Sequence, residues 1–302
     1  MEKSIITDLE ESILSAKFNC KTFLERLNLN YSRAQQIELF RYILLKKSDE
    51  KILDATIRHI NARKIRENLA DLIDFIVRPI DEKKANLKVL AIKTISNFKD
   101  TGSVPALLYC LNNKNSNYKI KLASAEALGK IGDKNAFEAL KGVVYDEEEK
   151  SVYVKESAVT ALGMLGDDRA LDVFESIINT KQMFLEKFSY LKEKIIEAMD
   201  KFDISRDKKA LEILKNSLLD NSPNVRISAI ETIMNSDIDN SYELIYERLK
   251  NDDDIEVKKN ALVALYNLSD RKILDEIIDS NFEDKIKDYA KEIIKEYEEN
   301  ND

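Results

Sequence analysis

Acid–base, nucleophilic and metal chemistry all need side chains that carry protons, electron pairs or ligands. This chain is sparing with the most versatile of them, with one histidine, two cysteines and no tryptophan in 302 residues. His59 is followed by Ile60 and has no second histidine or cysteine beside it, so no nitrogen–sulfur metal set can form around it in sequence. A half-buried structural imidazole is the expected state. Cys20 and Cys110 are too few for a disulfide framework and fall in different helical segments, Cys110 within the apolar run VPALLYCL. Two reduced, buried thiols are expected, and no nucleophile–base pair is visible. Carboxylates are abundant, at 56 Asp and Glu, but number alone neither supports nor excludes an acid–base pair. The acidic clusters at 146–149 and 252–254 lack the central Gly and closing Glu of a calcium loop and are read as solvated loops. No glycine-rich phosphate loop occurs. The expectation is therefore no metal and no cofactor.

Charge narrows the partners. The formal net charge of -8 is diffuse, which argues against a general binder of nucleic acid or anionic membrane. A local exception is RHINARKIR at 58–66, where Arg58, Arg63, Lys64 and Arg66 cluster around an expected interhelix turn. These four form a candidate anion or nucleic-acid patch, beside the simpler reading of a solvated turn. The N-terminal MEKSIITDLEESIL carries acids where a secretory signal needs an apolar core, and no apolar run approaches the ~20 residues of a membrane span. A soluble cytoplasmic protein is expected.

The elements that must position any site follow from an internal repeat. ALGKIGDKNAF at 127–137 returns as ALGMLGDDRAL at 161–171, 34 residues later. Extending the frame places equivalent helix starts at Leu87, Ile120, Val154, Leu191, Val225, Val257 and Ile286. Each is followed by a basic residue: Lys88, Lys121, Lys155, Lys192, Arg226, Lys258 and Lys287. Four residues after the start the side chain is usually small and eight after it large and apolar, which is one face of a helix. Gly132 and Gly166 sit where a helix end needs positive φ, and Asp133 and Asp167 follow where a second helix needs a capping acceptor. Each unit is then a hairpin of two helices that cannot bury its apolar face alone and must stack on the next. The basic residues and the turn aspartates read as ion pairs between repeats and as caps. Six glycines and three prolines leave little turn punctuation for any other fold class.

The pattern Ala-Leu-Gly-x-[Ile/Leu]-Gly-Asp-x-x-Ala resembles HEAT repeats, in particular the short type named after phycobilisome lyases. The resemblance implies an all-α fold, an α-solenoid (superhelix) of stacked helical hairpins. Residues 1–50 are expected to form an N-terminal helical cap. Residues 51–285 form the repeats, with 51–86 degenerate, then 87–119, 120–153, 154–190, 191–224, 225–256 and 257–285. Residues 286–302 form a C-terminal capping helix. From 191 onward the turn glycines vanish and looser turns are expected, with Asp203, Asp237, Asp239 and Asp270 keeping a capping residue nearby.

The resemblance also implies which residues face a partner. Second helices of such an array line its concave side, and here their non-stripe positions carry Tyr109, Glu138, Tyr145, Asp172, Glu175, Glu212, Tyr242, Tyr246 and Glu247. Tyrosine combines apolar area with a polar tip and suits recognition. The function expected is a non-catalytic scaffold or adaptor holding a protein partner, one with a basic or helical segment, in the concave groove. An insertion at 183–190, with Met183, Phe184, Phe188 and Tyr190, reads either as a docking ridge or as core. The alternatives are a bilin lyase-like enzyme and a HEAT-like nucleic-acid-binding or DNA-modifying protein. The residues that match bilin lyases are those that build the repeat, and they carry no chemistry of their own. HEAT-like deoxyhypusine hydroxylases hold iron through repeated His-Glu pairs, which a chain with one histidine lacks. HEAT-like DNA glycosylases use a basic face with aromatic contacts, whereas this repeat region is net acidic and has no tryptophan.

Overall fold

The computed structural model describes residues 4–13, 19–47, 49–79, 84–180 and 186–299. Among these there are helices and no strand. The chain divides into two compact units, Met1–Ala161 and Leu162–Asp302. The first holds α1 (Ile5–Ile13), α2 (Cys20–Asn30), α3 (Arg33–Lys46), α4 (Glu50–Ala62), α5 (Leu69–Val77), α6 (Ala85–Phe98), α7 (Val104–Asn112), α8 (Tyr118–Ile131) and α9 (Phe137–Tyr145). Helix α10 (Val152–Leu165) contains the boundary. The second unit continues with α11 (Arg169–Ile178), α12 (Glu186–Ala198), α13 (Lys208–Ser217), α14 (Pro223–Met234), α15 (Ser241–Asn251), α16 (Ile255–Ser269), α17 (Lys272–Asp279) and α18 (Asp284–Glu299).

The α8–α9 hairpin shows how sequence makes one repeat. The Asn117 side chain accepts from the Lys119 amide at 3.0 Å and starts α8. Ile120, Ala123, Ser124, Ala127 and Leu128 form its buried face. Gly132, at φ +79°, ends it in the left-handed region that a Cβ disfavours. The Asp133 carboxylate then accepts from Asn135 N at 2.9 Å. A single 3-10 turn leads into α9, which buries Phe137, Leu140 and Val144. Gly166 (φ +57°) repeats the device, and Asp167 accepts from Arg169 N at 3.1 Å. Other turns reach positive φ without glycine: Lys64 and Lys99 both stand at φ +50°, Lys99 in the same left-handed region, whereas Asp270, at φ +93° and ψ -172°, lies outside it. Helix α13 is capped by Asp207, which takes the Lys209 and Ala210 amides at 2.8 and 3.1 Å; Asp203 instead accepts from the Ser205 hydroxyl.

Packing alternates along the chain. In the first unit α2, α4, α6 and α8 pack in series, as do α1, α3, α5, α7 and α9. In the second, α12, α14, α16 and α18 form one series, and α11 packs on α13. The small-residue position is sealed: Ala91, Ala158, Ala229, Ala261 and Ala290 have no exposed surface. A Cβ on Gly163 would lie 2.8 Å from Ala198 Cβ, so that glycine permits a close helix approach.

The basic ladder pairs differently from the expected inter-repeat ion pairs. For four of its members the partner lies in the return loop at the end of the same repeat. Lys121 meets Glu149 at 2.9 Å, Lys192 meets Asp220 at 2.5 Å, and Lys258 meets Glu283. Arg226 grips Asp252 through two bonds of 2.9 and 2.7 Å and reaches Asp253 at 3.0 Å. The reason is reach: a side chain at the first turn of a first helix points toward the helix N-terminus, where the return loop passes. The turn aspartates Asp133 and Asp270 serve as caps.

Candidate functional site

The expected partner-facing residues sit on second helices but fall into different states. In the first unit Tyr109 on α7 and Tyr145 on α9 are exposed, as is Glu138. In the second, Asp172 and Glu175 of α11 both hold the Lys209 ammonium of α13, Glu175 at 3.3 Å, which raises the Lys209 pKa. Their charge is spent on joining two hairpins. Glu212 on α13 is exposed.

On α15, one turn apart, Tyr242 and Tyr246 stack nearly parallel, with ring centroids 6.1 Å apart at 11°. Phe282, in the loop after α17, meets Tyr246 edge-on at 6.5 Å. Neither tyrosine hydroxyl has a hydrogen-bond partner among the described residues. Glu247 is exposed and accepts from Asn251 Nδ2 at 2.5 Å. Partial burial, then the Glu276 carboxylate, Tyr246 and Glu243, push the Tyr242 hydroxyl pKa above its ordinary value. Glu243 and Glu276 are exposed members of this surface that the sequence reading passed over. Their signal was available, since Glu276 lies on the second helix of the 257–285 repeat.

The basic patch is half compensated. Arg58 holds Asp54 with bonds of 2.7 and 3.0 Å, and Arg66 holds Asp100 and the Phe98 carbonyl. Arg63 and Lys64, at the end of α4, are exposed and pair with no carboxylate among the described residues.

His59 lies against Phe40, with centroids 5.5 Å apart, and its Nε2 is buried without a hydrogen-bond partner among the described residues. Burial first, then the positive charge of Arg63, holds its pKa below the ordinary value. A neutral imidazole in the packing between α3 and α4 follows. Cys110 is buried and its thiol donates to the Ile76 carbonyl at 3.6 Å. Burial pushes its pKa to about 11, and that of Cys20 likewise to about 11, so neither is a thiolate near neutral pH. Among the described residues no group of three or more His, Cys, Asp or Glu could hold a metal ion, and no helix is long and apolar enough to cross a membrane. Of the 183–190 insertion, Met183 and Phe184 lie outside the described residues, as does the side chain of Phe188. Tyr190 is exposed.

Hairpins of two helices in a fixed repeat, with a small-residue seam and a helix-stop glycine before a capping aspartate, define an all-α solenoid of the HEAT type. The family comparison agrees. Residues 80–153 and 114–186 match the model of HEAT repeats, so this stretch of the chain is built of HEAT repeats. No curated protein compared with it matches its sequence. Among solved structures it is similar to the complex of CpcE and CpcF of phycocyanin lyase from Nostoc sp. PCC7120, with 19% identity, 70% of this chain and 86% of that one covered, and a TM-score of 0.40. It is also similar to human deoxyhypusine hydroxylase in complex with glycerol, with 16% identity, 88% and 96% covered, and a TM-score of 0.37. Neither likeness carries those proteins' activities to this chain.

Proposed function

We propose that this HEAT-repeat chain is a non-catalytic interaction scaffold that binds a basic or helical segment of a protein partner on its second-helix faces. In this reading the array 51–285 is the working part, closed by helical caps at 1–50 and 286–302, and it works in the cytoplasm, where unpaired thiols stay reduced. The observation that supports it is the α15 surface, where stacked Tyr242 and Tyr246 stand among Glu243, Glu247 and Glu276. Aromatic faces attract cations, carboxylates steer them, and preordered tyrosines lose little entropy on binding. Tyr109, Glu138 and Tyr145 offer a second, separate surface in the first unit. Asp172 and Glu175 contribute less, because Lys209 already neutralises them.

The test is a titration with a fluorescein-labelled helical peptide bearing arginines at i, i+4 and i+7, followed by anisotropy at low and high salt. Binding that weakens with salt and falls at least tenfold in Tyr242→Ala/Tyr246→Ala supports the reading. Salt-independent affinity, or affinity unchanged in the double variant, removes the aromatic–acidic surface from it.

A further inference from the structure

A buried charge in one repeat lacks the carboxylate partner that four sister repeats supply. Lys121, Lys192, Arg226 and Lys258 each end on a carboxylate of their own return loop, 28, 28, 26 and 25 residues further on. For Lys88 the return loop is NNKNSN at 112–117, without an acid, and Ser116 stands where Lys121 and Lys192 find Glu149 and Asp220. Lys88 is nevertheless buried, at 9% exposure. Its ammonium donates to the Arg78 carbonyl, and no carboxylate among the described residues pairs with it. Burial holds its pKa below the ordinary lysine value. A buried cation with a single carbonyl partner is a costly arrangement, which an anion would relieve.

Space for that anion exists beside it. A cavity of about 250 Å³ is lined by Lys88, Arg78, Tyr109, Asn113, Ser116 and Asn117, among others. The carboxamide oxygens of Asn113 and Asn117 accept from the Asn115 and Lys119 amides, each at 3.0 Å, which leaves both NH₂ groups as donors. The Ser116 hydroxyl has no partner among the described residues. Arg78 already carries a carboxylate, Asp74, so among the described residues lining the cavity Lys88 is a charge without a carboxylate. Its size suits a small molecule, not a polymer.

We propose that this cavity binds a small oxyanion, a carboxylate or a phosphate, whose negative oxygen stands at Lys88 in place of the missing return-loop acid. The amide and hydroxyl donors of the 113–117 loop hold its other oxygens, and the exposed ring of Tyr109 borders any organic remainder.

The test is thermal unfolding of the full chain in sodium acetate, sodium phosphate or sodium chloride at equal ionic strength, for the wild type, Lys88→Met and Ser116→Glu. Circular dichroism checks that both variants fold. The wild type is expected to gain several degrees in acetate, in phosphate or in both over chloride, and the two arms tell a carboxylate site from a phosphate site. Lys88→Met should lose that response. Ser116→Glu, which rebuilds the sister-repeat pair, should melt above the wild type in chloride and also lose it. An equal response in all three proteins means a general salt effect and overturns the proposal. So does a wild type that does not respond. If Asp81→Asn/Glu82→Gln then responds, the counter-charge comes from residues 80–83, which lie outside the described set.

Discussion

Replacing Asp252 by alanine tests whether the ion pairs of the basic ladder hold the repeat together. Asp252 is 1% exposed in its side chain and receives two bonds from Arg226, itself 8% exposed, with Arg248 at 3.8 Å. It also caps the loop by accepting from the Asp254 amide at 3.0 Å. Removing one partner of a buried pair leaves an uncompensated charge and costs about 3–5 kcal/mol. Arg226 keeps the Asp220 carbonyl at 2.8 Å and solvent-facing Asp253, so the loss should lie near the lower end, about 3 kcal/mol. At 1.4 kcal/mol per decade this is roughly a hundredfold in the local opening equilibrium. The assay is hydrogen exchange by mass spectrometry, because an array opens locally. Amides of α14–α16 should lose protection by that factor while those of α6–α8 do not change. Arg226→Met/Asp252→Leu, which removes both charges, should lose much less. A change under threefold in Asp252→Ala, or a double variant worse than the single, would refute the reasoning.

The glycines should rank by geometry in melting experiments. Gly142→Ala, with nothing within 4 Å of the new Cβ, should stabilise α9 by about 0.5–1 kcal/mol, whereas Gly163→Ala, 2.8 Å from Ala198 Cβ, should destabilise by about 1–3 kcal/mol. Gly166→Val, at φ +57°, should lose about 1–3 kcal/mol, and an unchanged melting temperature would mean that φ there is not positive in solution. His59 has a folded pKa below its ordinary 6.5, so its contribution to stability is complete above 6.5 and is lost as pH falls below that value through the lower folded pKa. Arg63 and Arg33 oppose the imidazolium and Glu25 favours it. Urea midpoints at pH 8 and pH 5.5 should therefore differ more in the wild type than in His59→Phe, and equal differences would place the imidazole in solvent.

The repeat was legible in the sequence where backbone geometry restricts residue choice. Gly132 and Gly166 mark left-handed helix ends because a Cβ is disfavoured there, and the small residues mark the sealed seam. Lys99 adopts the same region, and Asp270 another conformation of positive φ, without glycine, so those turns carried no such mark. The first helices lack the repeat signature, yet α2 and α3 pack on α4 and α5 in the same alternation, since any apolar face of matching width can occupy the next layer. Ladder partners were hidden because return loops differ in length, from 25 to 28 residues after the base. Asp172 and Glu175 read as free surface acids from their helix positions. Their capture by Lys209, 37 residues beyond Asp172, depends on how two hairpins meet. The stacking of Tyr242 on Tyr246 follows from their spacing by one turn, but the approach of Glu276 and Phe282 does not.

The central claim is tested most directly by affinity capture from native lysate with three baits: the wild type, Tyr242→Ala/Tyr246→Ala, and Glu212→Lys/Glu247→Lys. Captured proteins are identified and quantified by mass spectrometry, and each is then titrated against purified bait. The account predicts one protein with a basic segment that the wild type retains and both variants release, with affinity that weakens as salt rises. Retention of the same protein by all three baits, with equal affinity, would contradict it.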